Sequence, residues 1–363
     1  MPYFALLLKD RGLDPAWIGV VLAVTGLAAA LAAPVWSHFA DTRYGSIAVL
    51  RASTFATAAA ALGFAATGSS LVPIVLLGAL IWACSAPGMP LTDTLAVTLL
   101  GPEKLTAYGT IRLWMSLGWA VAVIVFGALY ERVGLGPVMP VYAAGMVALA
   151  LATYPLSKAG ATPAAPAHSR LGAVGDAVRA APKLLPFIAG AFLVSMAWSA
   201  ALAFLGLRIV GQGGGPFLVG LAASLGAFIE IPVMLATDKL GRRFGLRALY
   251  IAGVSVYVVL FICWALITDP TVLALVASAE GVAFALVYVS QVVLVGRLVP
   301  TRLLASGQGL FSGVVRSAAP IAGSLAGGFV FGSLGAPVLF AGCAVLATVG
   351  ATAVWFVLAG VDD

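Results

Sequence analysis

Charged residues are scarce in this sequence. Asp, Glu, Lys and Arg make up only 9% of the 363 residues, whereas 62% are hydrophobic. Since a soluble domain carries about 25% charged residues to cover its surface, this scarcity excludes a soluble enzyme and a soluble nucleic-acid-binding domain. The net charge of +6 does not indicate nucleic-acid binding here, because basic residues of membrane proteins collect in cytoplasmic loops.

Cysteine and histidine are nearly absent. The three cysteines, Cys84, Cys263 and Cys343, lie within apolar runs and have neither a metal-ligand spacing nor the pattern of a disulfide-rich domain. The two histidines are His38 and His168. The sequence also contains no phosphate-binding glycine loop and no Ser-His-Asp set. We therefore expect no metal, no cofactor and no enzymatic activity.

Long apolar runs are what the sequence has in abundance. A bilayer core of about 30 Å needs roughly 20 apolar residues per helix. The sequence therefore predicts an all-α, polytopic membrane protein with eleven full transmembrane helices. The predicted spans are 16–37, 47–67, 71–97, 109–130, 137–157, 184–210, 216–237, 246–267, 271–296, 307–332 and 336–359.

One internal stretch has a different composition. Residues 158–183 are polar and rich in Ala and Pro, which is typical of a linker between two bundles; an ordinary long loop is the alternative. We expect an N-terminal helical bundle at 1–157, a cytoplasmic linker at 158–183 and a C-terminal helical bundle at 184–363.

The two sides of this linker resemble each other. Gly109 and Gly309 are 200 positions apart, as are Pro137 and Pro337, and Asp41 precedes Asp238 by 197 positions. A nearly constant offset indicates duplication with the same topology in both halves, the architecture of parallel six-helix repeats in transporters.

The repeat also predicts that the first helix is incomplete. Residues 184–210, shifted back by 200, would place 1–8 at the end of a helix whose first sixteen or so residues are absent. We expect an incomplete first helix, a stub beside the eleven full spans, caused either by a true truncation or by a misplaced start codon.

The distribution of basic residues predicts the orientation. With the linker inside, fourteen of the 19 Lys and Arg residues fall in inner loops or nearby helix ends, and three fall in outer loops. The positive-inside rule then places the linker and the C-terminus in the cytoplasm. A multi-pass protein of the cytoplasmic (inner) membrane is expected.

Two loop sequences carry a family resemblance. The run from Asp238 to Arg243, Asp-Lys-Leu-Gly-Arg-Arg, resembles the loop signature of the major facilitator superfamily. The run from Asp41 to Gly45 is similar, with one extra residue before the glycine. This resemblance implies two six-helix bundles and secondary transport. It implies a gating-loop motif at Asp41, Gly45, Asp238, Gly241, Arg242 and Arg243.

A further run narrows the resemblance to one branch. Residues 108–119, Tyr-Gly-Thr-Ile-Arg-Leu-Trp-Met-Ser-Leu-Gly-Trp, are similar to the fifth helix of the phenylpropionate-permease-like (MFS_1-like) branch. In that branch, the position of Met115 is usually occupied by glycine. The tenth helix of that branch usually has His-Gly-x-x-Phe-x-x-x-His, and the two histidine positions are here Glu280 and Tyr288. The resemblance therefore supports membership more than a particular substrate.

Ionisable residues within the spans require an explanation, since each costs at least about 2.5–3.5 kcal/mol at the bilayer centre. Glu280 and Arg316 both lie about 14 Å from a membrane face, near the midplane, and Glu230 lies about 10 Å from the inner face. Arg316 can pair with either acid. Competition between an anionic substrate and the acids for Arg316 would couple proton binding to substrate binding; a static structural triad is the alternative.

Asp93 and Arg112 form a second candidate pair. They lie at similar depth on consecutive predicted helices, on either side of an inner turn. An ion pair between them either clamps the two helices together or contributes to an inner gate or to substrate binding.

Helical spacing predicts three polar and aromatic stripes, one of them formed by Ser195 and Ser199 beside Trp198. Glu280, Phe284, Tyr288 and Gln291 share one helix face, and Arg112, Ser116 and Trp119 share another. Aromatic and hydroxyl groups beside a cation suit a small aromatic acid, although aromatic side chains in membrane helices also serve as packing groups and interfacial anchors.

These features favour a secondary active transporter: a monomeric, proton-coupled symporter that imports a small organic carboxylate, aromatic ones included. Its expected partners are the small-molecule substrate, protons and the lipid bilayer, with no nucleic acid. A proton-driven exporter of amphipathic compounds would use the same acids. A non-transporting membrane scaffold or sensor is the alternative from another class.

Overall fold

A computed structural model describes residues 2–100, 108–158 and 172–359 of the chain. Helices dominate these ranges, and no β-strand occurs within them. Ten helical stretches there are long and apolar enough to cross a membrane. The α-helices are α1 (Phe4–Asp10), α2 (Pro15–Phe39), α3 (Ser46–Ala65), α4 (Leu71–Ser85), α5 (Gly88–Leu100), α6 (Tyr108–Val133), α7 (Val138–Ala152), α8 (Gly172–Ala180), α9 (Leu184–Gly211), α10 (Pro216–Phe244), α11 (Leu246–Leu266), α12 (Pro270–Ala277), α13 (Glu280–Leu298), α14 (Leu304–Phe311), α15 (Ala319–Leu334) and α16 (Ala336–Val357).

The short helix α1 packs within the bundle as a stub. All five residues from Phe4 to Leu8 are buried, and the ring of Phe4 contacts those of Phe64 and Trp82. The stub also packs against α9. Although it is short, α1 is thus part of the core between α3, α4 and α9.

The predicted span at 137–157 is shorter in the structure. Its helix, α7, has 15 residues and ends at Ala152. A turn at Thr153 and a 3-10 helix at Pro155–Lys158 follow, because proline cannot donate the backbone hydrogen bond that would continue the α-helix. Arg51 of α3 then donates to the carbonyl oxygen of Thr153 at 2.6 Å.

Two long spans of the C-terminal half are irregular at functionally interesting points. The span at Pro270–Leu298 is interrupted at Ser278 and Ala279, so that Glu280 begins a new helix. The span at Thr301–Leu334 contains a π-helix at Ser312–Ala318, which includes Arg316. Neither irregularity was predicted from the sequence, since both stretches are continuously apolar around the charged residue.

The pairing of the two loop motifs needs one correction. The motif comparison placed Gly45 opposite Gly241, which required an extra residue. In the structure Gly45 (φ 76°, ψ 157°) is the counterpart of Gly245 (φ 82°, ψ 153°), because each ends one helix and begins the next. Both positions need a positive φ that favours glycine. The offset between them is 200, the same as for the other paired positions.

The predicted linker is partly helical. Residues 159–171 lie outside the described ranges, but α8 occupies its C-terminal part and packs against α14. The second gating-loop motif, expected as a loop, lies within the last turns of α10, where the exposed Arg242 forms an ion pair with Asp238 one turn before it. The division into bundles at 1–157 and 184–363 stays a prediction.

The two halves of the chain contact each other mainly through α2 with α15 and α6 with α10. The contacts concentrate where α2 and α10 begin, which we call the Pro216 end; the opposite end is the Asp238 end. At the Pro216 end, Gly19 faces Gly328, and neither position has space for a side chain. At the same end, the Glu131 carboxylate accepts a hydrogen bond from the N–H of Phe217 at 3.0 Å. The molecule is closed at the Pro216 end.

Candidate functional site

A central cavity of about 390 Å³ lies between the two halves. Its wall is mainly apolar, with small residues such as Gly26 and Ala223, and Glu280 is the charged residue among the described residues that line it. Three tryptophans from three different helices complete the wall: Trp82, Trp119 and Trp198. The cavity thus offers flat aromatic surfaces together with one carboxylate.

Glu280 is held by two aromatic side chains. Trp198 of α9 donates its indole N–H to Glu280 Oε1 at 2.7 Å, and the Tyr257 hydroxyl of α11 lies 3.5 Å from the same oxygen. Tyr257 is itself buried. A carboxylate inside a membrane protein therefore faces the cavity on one side and two hydrogen-bond donors on the other.

The backbone beside Glu280 explains its position. At Gly281 the start of α13 touches α10 so closely that a Cβ atom would collide with the Gly226 carbonyl oxygen and come within 3.0 Å of the Glu230 nitrogen. Glycine at both positions lets the two helices meet without side chains. As a result, Glu230 lies next to the beginning of α13, near Glu280.

A second cavity, of about 270 Å³, lies next to the first and contains the predicted aromatic stripe. We call it the Arg316 cavity. Trp198 lines both cavities. The Trp198 and Phe284 rings are stacked at 5.7 Å between centroids, and those of Phe284 and Tyr288 at 5.3 Å. Gln291 also lines the Arg316 cavity.

Arg316 closes this row of rings. Its guanidinium carbon lies 4.5 Å from the Tyr288 ring centre and 5.8 Å from that of Phe311. The surrounding π-helix is held by Ser195 of α9, whose hydroxyl donates to the Val315 carbonyl oxygen at 2.7 Å. π-Helical turns within α-helices frequently mark functional sites. Here the turn presents a cation midway along an apolar span.

Arg316 is exposed despite this depth. Besides the Arg316 cavity, it lines a third cavity of about 340 Å³, which follows α2 from Leu22 to Ala33. Leu22, Gly26 and Ser324 line both this cavity and the central one. The space between the halves therefore continues from the central cavity past Arg316 toward the Asp238 end.

Comparisons with known proteins agree with this architecture. The family model described as "MFS_1 like family" matches residues 1–341. The chain belongs to the MFS_1-like family. A maltose permease from Geobacillus stearothermophilus is 27% identical over 337 residues, covering 91% of this chain and 82% of the permease.

Solved structures confirm the major facilitator fold for this MFS_1-like chain. The nucleoside transporter NupG superposes with a TM-score of 0.83 at 19% identity, covering 98% of this chain and 93% of NupG. A point mutant of the peptide transporter POT gives a TM-score of 0.75 at 14% identity, covering 99% of this chain and 89% of POT. The chain is a multi-pass secondary transporter of the major facilitator superfamily.

The MFS_1-like structure brings most of the predicted site residues together, but not as one site. Glu280 and Trp119 line the central cavity, whereas Phe284, Tyr288, Gln291 and Arg316 line the Arg316 cavity. The expected ion pair between Arg316 and a glutamate is not formed with Glu280 in this conformation: Trp198 and Tyr257 hold Glu280, and Arg316 lies over an aromatic ring.

The predicted pair of Asp93 and Arg112 lies elsewhere. Asp93 is half-buried on α5, outside the walls of the central and Arg316 cavities. The Arg112 side chain lies outside the described residues, so their ion pair stays a prediction. Ser116 lies on α6 one turn before Trp119 and is not among the described residues that line these two cavities.

Sequence reasoning missed two site residues of this MFS_1-like chain, Trp82 and Tyr257. Both lie well inside apolar spans, whereas Trp and Tyr of membrane proteins concentrate at the interfaces. Their depth was the available signal. That Tyr257 faces Glu280 from a different helix was beyond a local sequence pattern.

Proposed function

We propose that this protein is a proton-coupled symporter of a small organic carboxylate, aromatic ones included, in the cytoplasmic membrane. The observation that carries the proposal is Arg316, a guanidinium midway along an apolar span, exposed to two cavities and seated on an aromatic ring instead of a carboxylate. Burying a cation at this depth costs several kcal/mol, and proteins keep such a cation where it has a function. Binding an anion is such a use.

The surroundings of Arg316 suit an aromatic acid. A guanidinium that lies over a ring keeps its N–H edges available, and these match a carboxylate in a two-pronged geometry. The Phe284 and Tyr288 rings and the Gln291 side chain line the same cavity. A ligand ring can stack on the aromatic surface while its carboxylate binds Arg316.

Glu280 supplies the proton site of the proposal. It lines the central cavity, from which a proton can arrive, and it is held by neutral donors. A protonated Glu280 is neutral, so keeping it buried while the protein changes conformation costs less than keeping a carboxylate buried. Because the anion and the proton then move together, the transported load carries no net charge.

The orientation of the proposal follows from the basic residues. Fourteen Lys and Arg lie in the loops or helix ends of one side and three in those of the other, which favours a cytoplasmic Asp238 end. The contacts at the Pro216 end then correspond to an inward-facing state, in which substrate that entered from outside is released past Arg316.

A neutral, hydroxylated ring is a second candidate substrate. The central cavity combines Trp82, Trp119 and Trp198 with the hydroxyl groups of Thr25, Ser199 and Ser324 and with one carboxylate, a combination that suits stacking and hydrogen bonding to a sugar-like ring. The maltose permease among the relatives favours the same candidate.

Proteoliposomes test the proposal. We expect an inward proton gradient to drive accumulation of 3-phenylpropanoate, and an uncoupler to abolish it. Maltose under the same gradient separates the second candidate from the first. Proton-driven efflux of amphipathic dyes without uptake of either solute would favour an exporter, and no flux in any direction would favour a non-transporting scaffold.

A further inference from the structure

Trp198 occupies a special position between the two cavities. Its side chain lines both the central cavity and the Arg316 cavity. One edge donates to Glu280 at 2.7 Å, and the ring face stacks on Phe284 at 5.7 Å. Through Phe284 and Tyr288 the row of stacked rings continues to Arg316. One side chain therefore contacts the proposed proton site and begins the wall of the proposed anion site.

The indole can influence the protonation of Glu280 in only one direction. Its N–H is a donor and never an acceptor, so it bonds best to an ionised carboxylate. When Glu280 takes up a proton, the negative charge that strengthens this bond is lost. Holding or releasing the indole therefore changes how readily Glu280 binds a proton.

The ring face connects this bond to the Arg316 cavity. Phe284 stacks on Trp198 on one side and on Tyr288 on the other. A ligand ring that stacks on this aromatic surface competes with the neighbouring rings for contact, and Trp198 lines the cavity that it would enter, so its binding can tilt the indole. Tilting Trp198 would lengthen its bond to Glu280.

We propose that Trp198 is a positioning residue that links the occupancy of the Arg316 cavity to the protonation of Glu280. This inference rests on the proposed function and deepens it. In the conformation described here Trp198 donates its indole N–H to Glu280; when a ligand moves the indole, the carboxylate loses its strongest donor and binds a proton more readily. Trp198, which separates the two cavities, thus also couples ligand binding in one cavity to proton binding in the other.

Three other titratable groups lie near Glu280 or near its partner Tyr257. Tyr257 of α11 is the second donor, at 3.5 Å. Glu230 of α10 lies close enough for electrostatic repulsion, and Tyr250 of α11 lies near Tyr257. Of these three residues, Tyr257 lines the Arg316 cavity, whereas Glu230 and Tyr250 do not. Trp198 alone among the described neighbours of Glu280 both bonds to it at short distance and stacks on Phe284.

Infrared titration of the carboxyl group tests the inference independently of transport. The band of protonated Glu280 is assigned by its loss in Glu280→Gln, and its midpoint is compared in the wild type and in Trp198→Phe, which keeps a ring but removes the N–H. We expect the midpoint to move to higher pH by about 0.5–1 unit, since an ordinary hydrogen bond changes a proton affinity about three- to tenfold.

Trp36→Phe is the matched control. Trp36 also donates its indole N–H, to the Ala83 carbonyl oxygen at 2.8 Å, but it lines none of the three cavities described above. We expect it to leave the Glu280 midpoint unchanged. Equal midpoints in the wild type, Trp198→Phe and Trp36→Phe would overturn the inference.

A measurement on the wild type decides the matter if Trp198→Phe fails to fold. The ultraviolet resonance Raman signal of indole hydrogen bonding should titrate with the same midpoint as the Glu280 band and should not titrate in Glu280→Gln. An indole signal that ignores Glu280 would equally overturn the inference. Failure of proton-driven 3-phenylpropanoate uptake in the wild type would instead reject the proposed function, because the spectroscopic result does not depend on a substrate.

Discussion

At the residue scale, the two charged side chains of the site differ in what compensates them. Glu280 accepts a hydrogen bond from Trp198, with the Tyr257 hydroxyl nearby, so its charge is met by neutral dipoles. Arg316 lies over the Tyr288 ring, so its charge is met by an aromatic face. Neither arrangement uses the opposite charge, which leaves the carboxylate for a proton and the guanidinium for an anion.

The first prediction concerns Glu280. Glu280→Gln keeps an oxygen that can accept from Trp198 but cannot bind and release a proton. We expect proton-driven accumulation of substrate to fall to the level of passive equilibration, while exchange at equal pH continues. Counterflow and gradient-driven uptake in the same proteoliposomes measure the two activities. Unchanged accumulation would move the coupling role to Glu230.

The second prediction concerns Arg316. Arg316→Lys keeps the charge but loses the planar, two-pronged geometry for a carboxylate. Because a hydrogen bond to a charged group contributes about 1.5–3 kcal/mol, we expect the Kd of 3-phenylpropanoate to rise about ten- to hundredfold, measured by calorimetry. Arg208→Lys is the control, since Arg208 donates to the Ala265 and Ile267 carbonyl oxygens at 3.3 Å and lines none of the described cavities. Equal effects in both variants would mean that Arg316 is a structural strut.

At the element scale, both charged residues lie where a span departs from a regular α-helix. Glu280 begins α13 after the interruption at Ser278 and Ala279, and Arg316 lies in the π-helix at Ser312–Ala318. Interrupted helices place backbone and side-chain polar groups at the substrate sites of many transporters. The irregularities thus position the site, in addition to connecting helices.

The third prediction concerns the contact that supports this interruption. Gly281→Ala would press a Cβ atom against the Gly226 carbonyl oxygen, and overpacking of this kind costs about 1–3 kcal/mol. We expect a lower thermal midpoint and a displaced Glu280, hence weaker coupling. Thermal unfolding followed by size-exclusion chromatography measures the first effect.

Gly342→Ala is the matched control for Gly281→Ala. Gly342 lies within α16, and a Cβ atom there would meet nothing within 4 Å. Alanine favours a helix interior by about 1 kcal/mol over glycine, so this variant should be as stable as the wild type or more so. If both variants lose stability alike, the contact between α10 and α13 has no special role.

The same elements show how far the sequence could lead. Apolar runs and their 200-residue offset were enough to predict an all-helical membrane protein with two similar halves, because bilayer thickness fixes the length of each run. The major facilitator type was implied by the resemblance of the motif from Asp238 to Arg243. Helical spacing placed Phe284, Tyr288 and Gln291 on one face, and all three line the Arg316 cavity. The break before Glu280 and the π-helix at Arg316 depend on contacts with α10 and α9, which a local pattern does not contain.

At the scale of the whole molecule, the two halves of the chain meet closely at the Pro216 end. Gly19 and Gly328 meet at the Pro216 end, and the Glu131 carboxylate bonds to the first free N–H of α10 there. A carboxylate at a helix N-terminus is favoured by the helix dipole. Since the halves must separate at this end before substrate can enter from that side, these contacts set the balance between the two conformations.

The last prediction changes that balance. In Gly328→Ala the added Cβ atom would lie 2.6 Å from both the Gly19 Cα atom and the Pro15 carbonyl oxygen, so α2 and α15 could not meet as they do here. We expect the population to shift toward a state open at the Pro216 end. Spin labels at the exposed positions Ser69 and Val338, one in each half, should then report a longer distance by electron paramagnetic resonance.

Gly332→Ala, one turn further along α15, separates this steric effect from a general effect of alanine. Its Cβ atom would meet Ala16 N at 3.4 Å, an ordinary contact, so the spin-label distance should stay that of the parent protein. Because closure at the Pro216 end must alternate with opening in every transport cycle, Gly328→Ala should slow transport while substrate still binds from the open side. A Gly328→Ala protein with an unchanged distance distribution would show that the contact between α2 and α15 does not control this end.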